Sequence, residues 1–241
     1  MVVVKSLGDL EAIQQTLEGE SAVGQLSWAL EQFGAGFALT TSFGIQSAVL
    51  LHMLQGLKAL VPVYWIDTGY LPAETYAYAA QLTELLQLDL RVVQPEWSAA
   101  RMEALLGRLW ESEDPDDLGT YHRLRKVEPL DRALTAGAVS CWASGVRSRQ
   151  TEHRAAMRPL EQVRGRWSLR PLLRWSNREV FYYLQEHHLP QHPLFDQGYS
   201  SVGDWHSSAP DDGQGRASRF GGKHQECGIH MPTPLAEGAG I

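Results

Sequence analysis

The chain has 241 residues, 44% of them hydrophobic and 20% charged, with a formal net charge of −7 at neutral pH. That length suits one α/β domain with a substantial core, and the acidic balance argues against a nucleic-acid partner, whose surface would need a basic excess. No apolar run approaches membrane-spanning length. The start MVVVKSLGDLEAI lacks the apolar core and cleavage site of a secretory leader, and two cysteines in unlike contexts suggest no disulfide framework. A cytoplasmic protein with no membrane partner is expected.

Residues 9 to 33 carry apolar side chains at helical spacing, among them Leu10, Ile13, Leu17, Leu26 and Leu30, with Gly34 as a stop. GFALTTSF reads as a short strand and GIQSAVLLHMLQGL as the helix after it. VPVYWIDTG is a strongly apolar strand ending in Asp-Thr-Gly, followed by a helix over 72–88. LDLRVVQPE is another strand, SAARMEALLGRLWE another helix, and AVSCWASGV a further buried strand. This alternation predicts an α/β fold, a mostly parallel twisted sheet with helices on both faces. Ser176-Asn-Arg-Glu179 forms a capping box that opens the helix REVFYYLQEHHL. Residues 190–222 are rich in Gly, Ser, Asp and Pro and read as ordered loop plus mobile segment. The expected organisation is a nucleotide-binding α/β domain over 1–203 and a flexible C-terminal segment over 204–241.

Thr40-Thr41-Ser42-Phe43-Gly44-Ile45-Gln46-Ser47 lies between a strand and a helix, at the strand end where open parallel sheets bind ligands. A helix N-terminus with Gly44 and several hydroxyls suits a phosphate; a Ser/Thr-rich helix cap is the plainer reading. Ser-x-Gly-x-x-Ser resembles the PP-loop of ATP pyrophosphatases, with Gln46 where that family has an aspartate. That exchange points to a phosphate-bearing nucleotide bound without cleavage of a pyrophosphate.

KHQECGIH, residues 223–230, holds Cys227 among polar neighbours instead of aliphatic ones. Lys223, His224 and His230 would favour a thiolate and Glu226 would oppose it. Cys141, inside a strand, reads as a buried core residue, and Trp142 and Trp175 as core packing. The nine histidines show no metal-ligand spacing.

SFGIQSAVLLH, WIDTGYLPAETY, RKVEPLDRAL, ASGVRSRQTEHRA, PLLRWSNREVFYYL, PLFDQGYSSVGD and ECGIH occur in this order. Together they resemble the sulfonucleotide reductases, on their phosphoadenylyl-sulfate (PAPS) branch, over roughly residues 35 to 230. The resemblance implies an adenine-nucleotide α-hydrolase-like fold, a homodimer, and thiol-dependent reduction of an activated sulfate to sulfite in sulfate assimilation. It implies Cys227 as nucleophile, an external reduced thioredoxin or glutaredoxin as electron donor, and no bound cofactor or metal. The cluster-bearing adenylyl-sulfate (APS) branch carries Cys-Cys and Cys-x-x-Cys pairs where this chain reads Thr120-Tyr121-His122 and Asp204-Trp205-His206-Ser207. Four thiolates are needed for such a cluster, so none is expected.

The polyanionic substrate would be met by Lys126, by Gly145, Arg147, Arg149 and Gln150 of GVRSRQ, and by Arg154. The loop residues Thr41, Ser42, Gly44, Gln46 and Ser47 would take part, with Arg216 and Arg219 closing over the phosphosulfate. Asp67 and Thr68 end a strand and would line the nucleotide pocket, or Asp67 would cap the next helix. A cluster-free APS reductase, a PP-loop ATP pyrophosphatase or adenylyltransferase, and a nucleotide-binding redox sensor without turnover are the competing readings.

Overall fold

The computed structural model describes residues 7–211, 215–222 and 226–231. The apolar stretch at the start forms two helices, α1 (Leu7–Gly19) and α2 (Ala22–Phe33). Ser21 breaks it: its backbone is extended, and its hydroxyl accepts the Gly24 N–H at 3.0 Å as a helix cap. Gly34 ends α2 at φ +51°, as the sequence suggests.

The next elements are β1 (Phe37–Thr41), α3 (Ser47–Gly56), β2 (Pro62–Ile66), α4 (Ala73–Leu86), β3 (Asp89–Val93) and α5 (Ala99–Leu106). The last stops early because Gly107 takes φ +76°. A helical run that the sequence reading leaves unassigned follows: α6 (Pro115–His122), a π-helical turn (Arg123–Val127) and α7 (Glu128–Ala136). Pro129 has no N–H for the carbonyl four residues earlier and would crowd it, and the wider π turn accommodates that defect.

Then come β4 (Cys141–Ser144), α8 (Glu152–Ala155), the hairpin strands β5 (Leu160–Val163) and β6 (Arg166–Leu169), and α9 (Asn177–Glu186). The hairpin is also absent from the sequence reading, because its strands are short and polar on one side. Its turn, Arg164-Gly165, has positive φ at both residues, 48° and 78°, as a tight two-residue hairpin requires. The capping box of α9 is present, with the Glu179 N–H donating to Ser176 Oγ at 3.2 Å and the Ser176 N–H to the Glu179 carboxylate at 2.7 Å.

The six strands run β3-β2-β1-β4-β6-β5, all neighbours parallel except β5 with β6. Alternation along each strand divides the core. Phe37, Leu39, Val63, Trp65 and Cys141 face the cluster built with the α1, α2, α3, α4 and α9 side, whereas Ala38, Tyr64 and Trp142 face Leu130 and Leu134 of α7. Leu17, Leu26, Leu39, Leu51 and Leu82 are fully buried, each contributing about 1.5–3 kcal/mol of hydrophobic stabilisation. From β1 the chain proceeds outward to β2 and β3, and then returns to β4 on the other side of β1. The carboxyl ends of β1 and β4, with Thr40 opposite Ser144, therefore flank the crevice where such sheets bind ligands.

Candidate active site

One wall of that crevice is the turn from β1 into α3. Phe43 adopts φ +45° with its ring fully buried, and its N–H donates to Thr41 Oγ1 at 3.1 Å. The tightened chain presents the N-terminus of α3, whose first amides have no helical carbonyl to bond. Thr41, Ser42, Gly44, Gln46 and Ser47 all line a cavity of about 220 Å³ at this point.

The loop after β4 forms the facing wall. Gly145, Arg147, Gln150 and Arg154 line the same cavity. Arg147 is 5% exposed and donates to Gln46 Oε1, joining the two walls across the switch point. Burial and the neighbouring Arg154 lower its guanidinium to about 10, which leaves it a cation at neutral pH. Gln150 accepts from the Arg147 backbone N–H at 3.0 Å and from Arg154 Nη1. Gln46 thus does what a carboxylate would not: it holds the Arg147 guanidinium without neutralising it.

The π turn delivers Lys126. Its Nζ lies 2.5 Å from Asp204 Oδ2, and Asp204 also accepts from Thr68 Oγ1 at 2.5 Å and from the Tyr121 hydroxyl at 2.9 Å. Burial alone would raise the Asp204 carboxyl, but the Lys126 charge and these donors hold it well below the usual carboxylate range. His206, 2.9 Å from the Tyr121 hydroxyl, is lowered to about 4, first by burial and then by Lys126 and Arg219 against the pull of Asp204. The neutral ring stacks on Trp110 at 4.2 Å and 7°. Asp204, Tyr121 and His206 were missed by sequence reasoning; the only signal was their place in the segments where cluster-bearing relatives have cysteine. Those positions do meet in space, but they offer a phenol, a carboxylate, imidazole and a hydroxyl. That donor set does not fit an iron–sulfur cluster, which takes thiolates.

Arg216 and Arg219 reach the cavity from the 3₁₀ segment Gly215–Gly222. Arg219 is 6% exposed and donates to Ser208 Oγ at 2.8 Å, and its guanidinium occupies the space that any side chain at Gly203 would need. Burial lowers Arg216 to about 10 and Arg219 in the same direction, and both couple electrostatically to Cys227.

Cys227 lines the cavity as a half-buried free thiol. Lys223 and His224 lie outside the described residues. His230 does not supply the positive charge expected of it: burial and four arginines, Arg154 first, keep its ring neutral, and it stacks on Trp142 at 5.1 Å. Nor does Glu226 stand as an unpaired anion beside the thiol. Its carboxylate accepts from Arg154 Nε at 2.8 Å and Nη2 at 2.9 Å, and from Thr151 Oγ1 at 2.7 Å. Cys227, Ile229 and His230 of the described segment 226–231 line the cavity.

Two of the expected site residues stand apart. Asp67 lines neither the cavity nor its neighbour; it accepts from the Gly69 N–H at 2.9 Å, Tyr76 Oη at 2.6 Å and Gln94 Nε2 at 3.2 Å, so it braces the turn after β2, while Thr68 faces the site. Arg149 is exposed and lines an adjoining recess of about 330 Å³ that shares Gln46, Arg147, Gln150 and Arg216 with the main cavity. Cys141 is fully buried, and burial pushes its thiol far up. Among the described residues no group of three His, Cys, Asp or Glu could hold a metal ion, and no helix is long and apolar enough to cross a membrane.

An open, mostly parallel α/β sheet with an arginine-lined cleft at its switch point, and a thiol among the lining residues, has the form of the nucleotide-binding α/β class. A profile of the phosphoadenosine phosphosulfate reductase domain matches residues 36–210. The chain is 53% identical over 228 residues to the phosphoadenosine 5′-phosphosulfate reductase of Synechococcus sp., covering 93% of this chain and 98% of the relative. It is 48% identical to that of Synechocystis sp., covering 97% and 95%. A crystal structure of phosphoadenylyl-sulfate reductase from Candida auris in a phosphate complex superposes with a TM-score of 0.74, at 30% identity, over 87% of this chain and all of that one. The protein belongs to the phosphoadenosine phosphosulfate reductase family.

Proposed function

We propose that the protein reduces 3′-phosphoadenylyl sulfate to sulfite and adenosine 3′,5′-bisphosphate, with Cys227 as nucleophile and a thioredoxin-like dithiol as electron donor. The observation that carries this reading is a free thiol in one cleft with Lys126, Arg154, Arg216 and Arg219. In the first half-reaction the Cys227 thiolate attacks the sulfonyl sulfur and the S–O bond to the nucleotide phosphate breaks. The products are S-sulfocysteine and the bisphosphate, whose developing charge the cations stabilise. In the second, a dithiol thiolate attacks Cys227 Sγ and sulfite departs with the bonding pair. The partner's second thiol then resolves the mixed disulfide, restoring Cys227 and oxidising the donor by two electrons.

The nucleotide phosphate fits the α3 N-terminus and Arg147, and the 3′-phosphate fits the adjoining recess, where Arg147, Arg149 and Arg216 converge. Dithiol turnover suits the reducing cytoplasm, where both cysteines stay thiols. The test is to incubate the reduced protein with PAPS, and separately with APS, without any dithiol. One SO₃ group mapped to Cys227 and released as sulfite by thioredoxin is the expected result; faster loading from PAPS names the substrate. No adduct from either nucleotide, despite binding, would overturn the covalent route.

A further inference from the structure

The mechanism asks a residue near the end of the chain to sit at a fixed point over the substrate, yet Cys227 lies in no helix or strand. Its positioning has to come from contacts on either side. Upstream, Glu226 is fastened by Arg154. Downstream, the grip comes from an element with no other place in the site. Arg164, at the tip of the β5–β6 hairpin, donates through Nη1 to three backbone acceptors of the tail. These are the carbonyls of Ile229 at 2.7 Å, Met231 at 3.0 Å and Gly228 at 3.4 Å.

The arginine is itself held. Its Nε lies 2.8 and 3.0 Å from the two Asp131 oxygens on α7, and its side chain is 9% exposed. Ile229 then packs against the apolar cluster of Trp142, Tyr64 and Leu130. Gly228 takes φ +79°, turning the chain so that these carbonyls present themselves to one guanidinium.

We infer that Arg164, oriented by Asp131, is a positioning residue that docks the tail and so sets Cys227 over the substrate. It touches neither the nucleotide cavity nor the thiol, and it acts through the backbone of residues 228–231. An uncharged side chain cannot replace it, because the grip needs a charged donor reaching several carbonyls at once. The inference rests on the covalent reading above for its catalytic arm only.

The test compares wild type with Arg164→Met, Arg164→Lys and Asp131→Asn. Methionine keeps the β-carbon, so the strain at this positive-φ position is unchanged and the hairpin is expected to fold. Adenosine 3′,5′-bisphosphate affinity checks that the cleft is intact. Alkylation of Cys227 by iodoacetamide is followed by peptide mass at roughly pH 10, where an ordinary thiol is mostly thiolate and exposure governs the rate. Arg164→Met is expected to speed alkylation and to slow SO₃ transfer from saturating PAPS, each by about tenfold, the worth of one hydrogen bond to a charged group. Bisphosphate affinity stays within about twofold of wild type, since no cavity residue changes. Arg164→Lys, a point charge without the planar fork that serves Asp131 and the carbonyls together, falls between, and Asp131→Asn moves in the direction of methionine.

Wild-type alkylation in Arg164→Met would overturn the docking role, and so would a loss of bisphosphate affinity parallel to the loss of transfer. If wild type takes no SO₃ group, the covalent reading fails, while the alkylation arm still decides the clamp.

Discussion

Replacing Asp204 by Asn tests whether the Lys126 ammonium depends on a buried counter-charge. The pair is 2.5 Å apart, with side chains 9% and 1% exposed, and Thr68 and Tyr121 also donate to the carboxylate. Removing one partner of such a pair leaves an uncompensated buried charge and costs about 3–5 kcal/mol. In a domain of this size each kcal/mol shifts Tm by about 2–4 °C, so Asp204→Asn should lower it by about 6–20 °C. Lys126→Met should cost a similar amount. The double variant should then fall short of the sum by about 0.5–3 kcal/mol, the coupling expected of residues in contact.

Acid provides a second check. The carboxyl is held below its unfolded value near 3.9, so its contribution is complete above that pH and drains away as pH falls toward the folded value. The gap in stability between wild type and Asp204→Asn should therefore be constant from neutrality down to about pH 5 and close only in stronger acid. Chemical denaturation at several pH values measures it. A Tm within about 2 °C of wild type, or strict additivity in the double variant, would refute the reasoning.

Arg149→Ala should weaken binding of adenosine 3′,5′-bisphosphate by about tenfold and leave AMP unchanged, in keeping with one lost charged hydrogen bond; titration calorimetry with both ligands checks it, and equal losses would place Arg149 elsewhere on the nucleotide. Glu226→Gln removes the anion that occupies Arg154, so bisphosphate affinity should rise about three- to tenfold at low salt and the gain should shrink at high salt. An unchanged affinity would mean that Arg154 does not face the ligand. Native protein treated with excess iodoacetamide should carry its label on Cys227 and none on Cys141, whose side chain is fully buried; peptide mapping that finds Cys141 modified would contradict its burial.

Much of this architecture is local information. Alternating strands and amphipathic helices announce a parallel sheet, Gly34 ends α2, and Ser176 with Glu179 opens α9, because each signal acts within a few residues of chain. The same holds for the anion wall: the α3 N-terminus and GVRSRQ follow strands, and strands end where parallel sheets bind ligands. Other features are not written locally. The π turn that carries Lys126 answers the defect at Pro129 inside a continuous helical run, and the Arg164-Gly165 hairpin has strands too short and polar on one side to stand out. The electrostatics around Cys227 also came out differently from the nearest neighbours in sequence. Glu226 is spent on Arg154, and His230 is desolvated against Trp142. The cations that couple to the thiol are Arg216 and Arg219.

Sequence alone determined that this chain folds as a mostly parallel α/β sheet with helices on both faces, because periodicity is a property of short segments. Only the tertiary structure decided which charges pair. Asp204 meets Lys126 across 78 positions of chain, and Arg164 meets the tail carbonyls across 64 to 67. Coulomb energy and desolvation depend on distance and burial in space, and neither is encoded in separation along the chain.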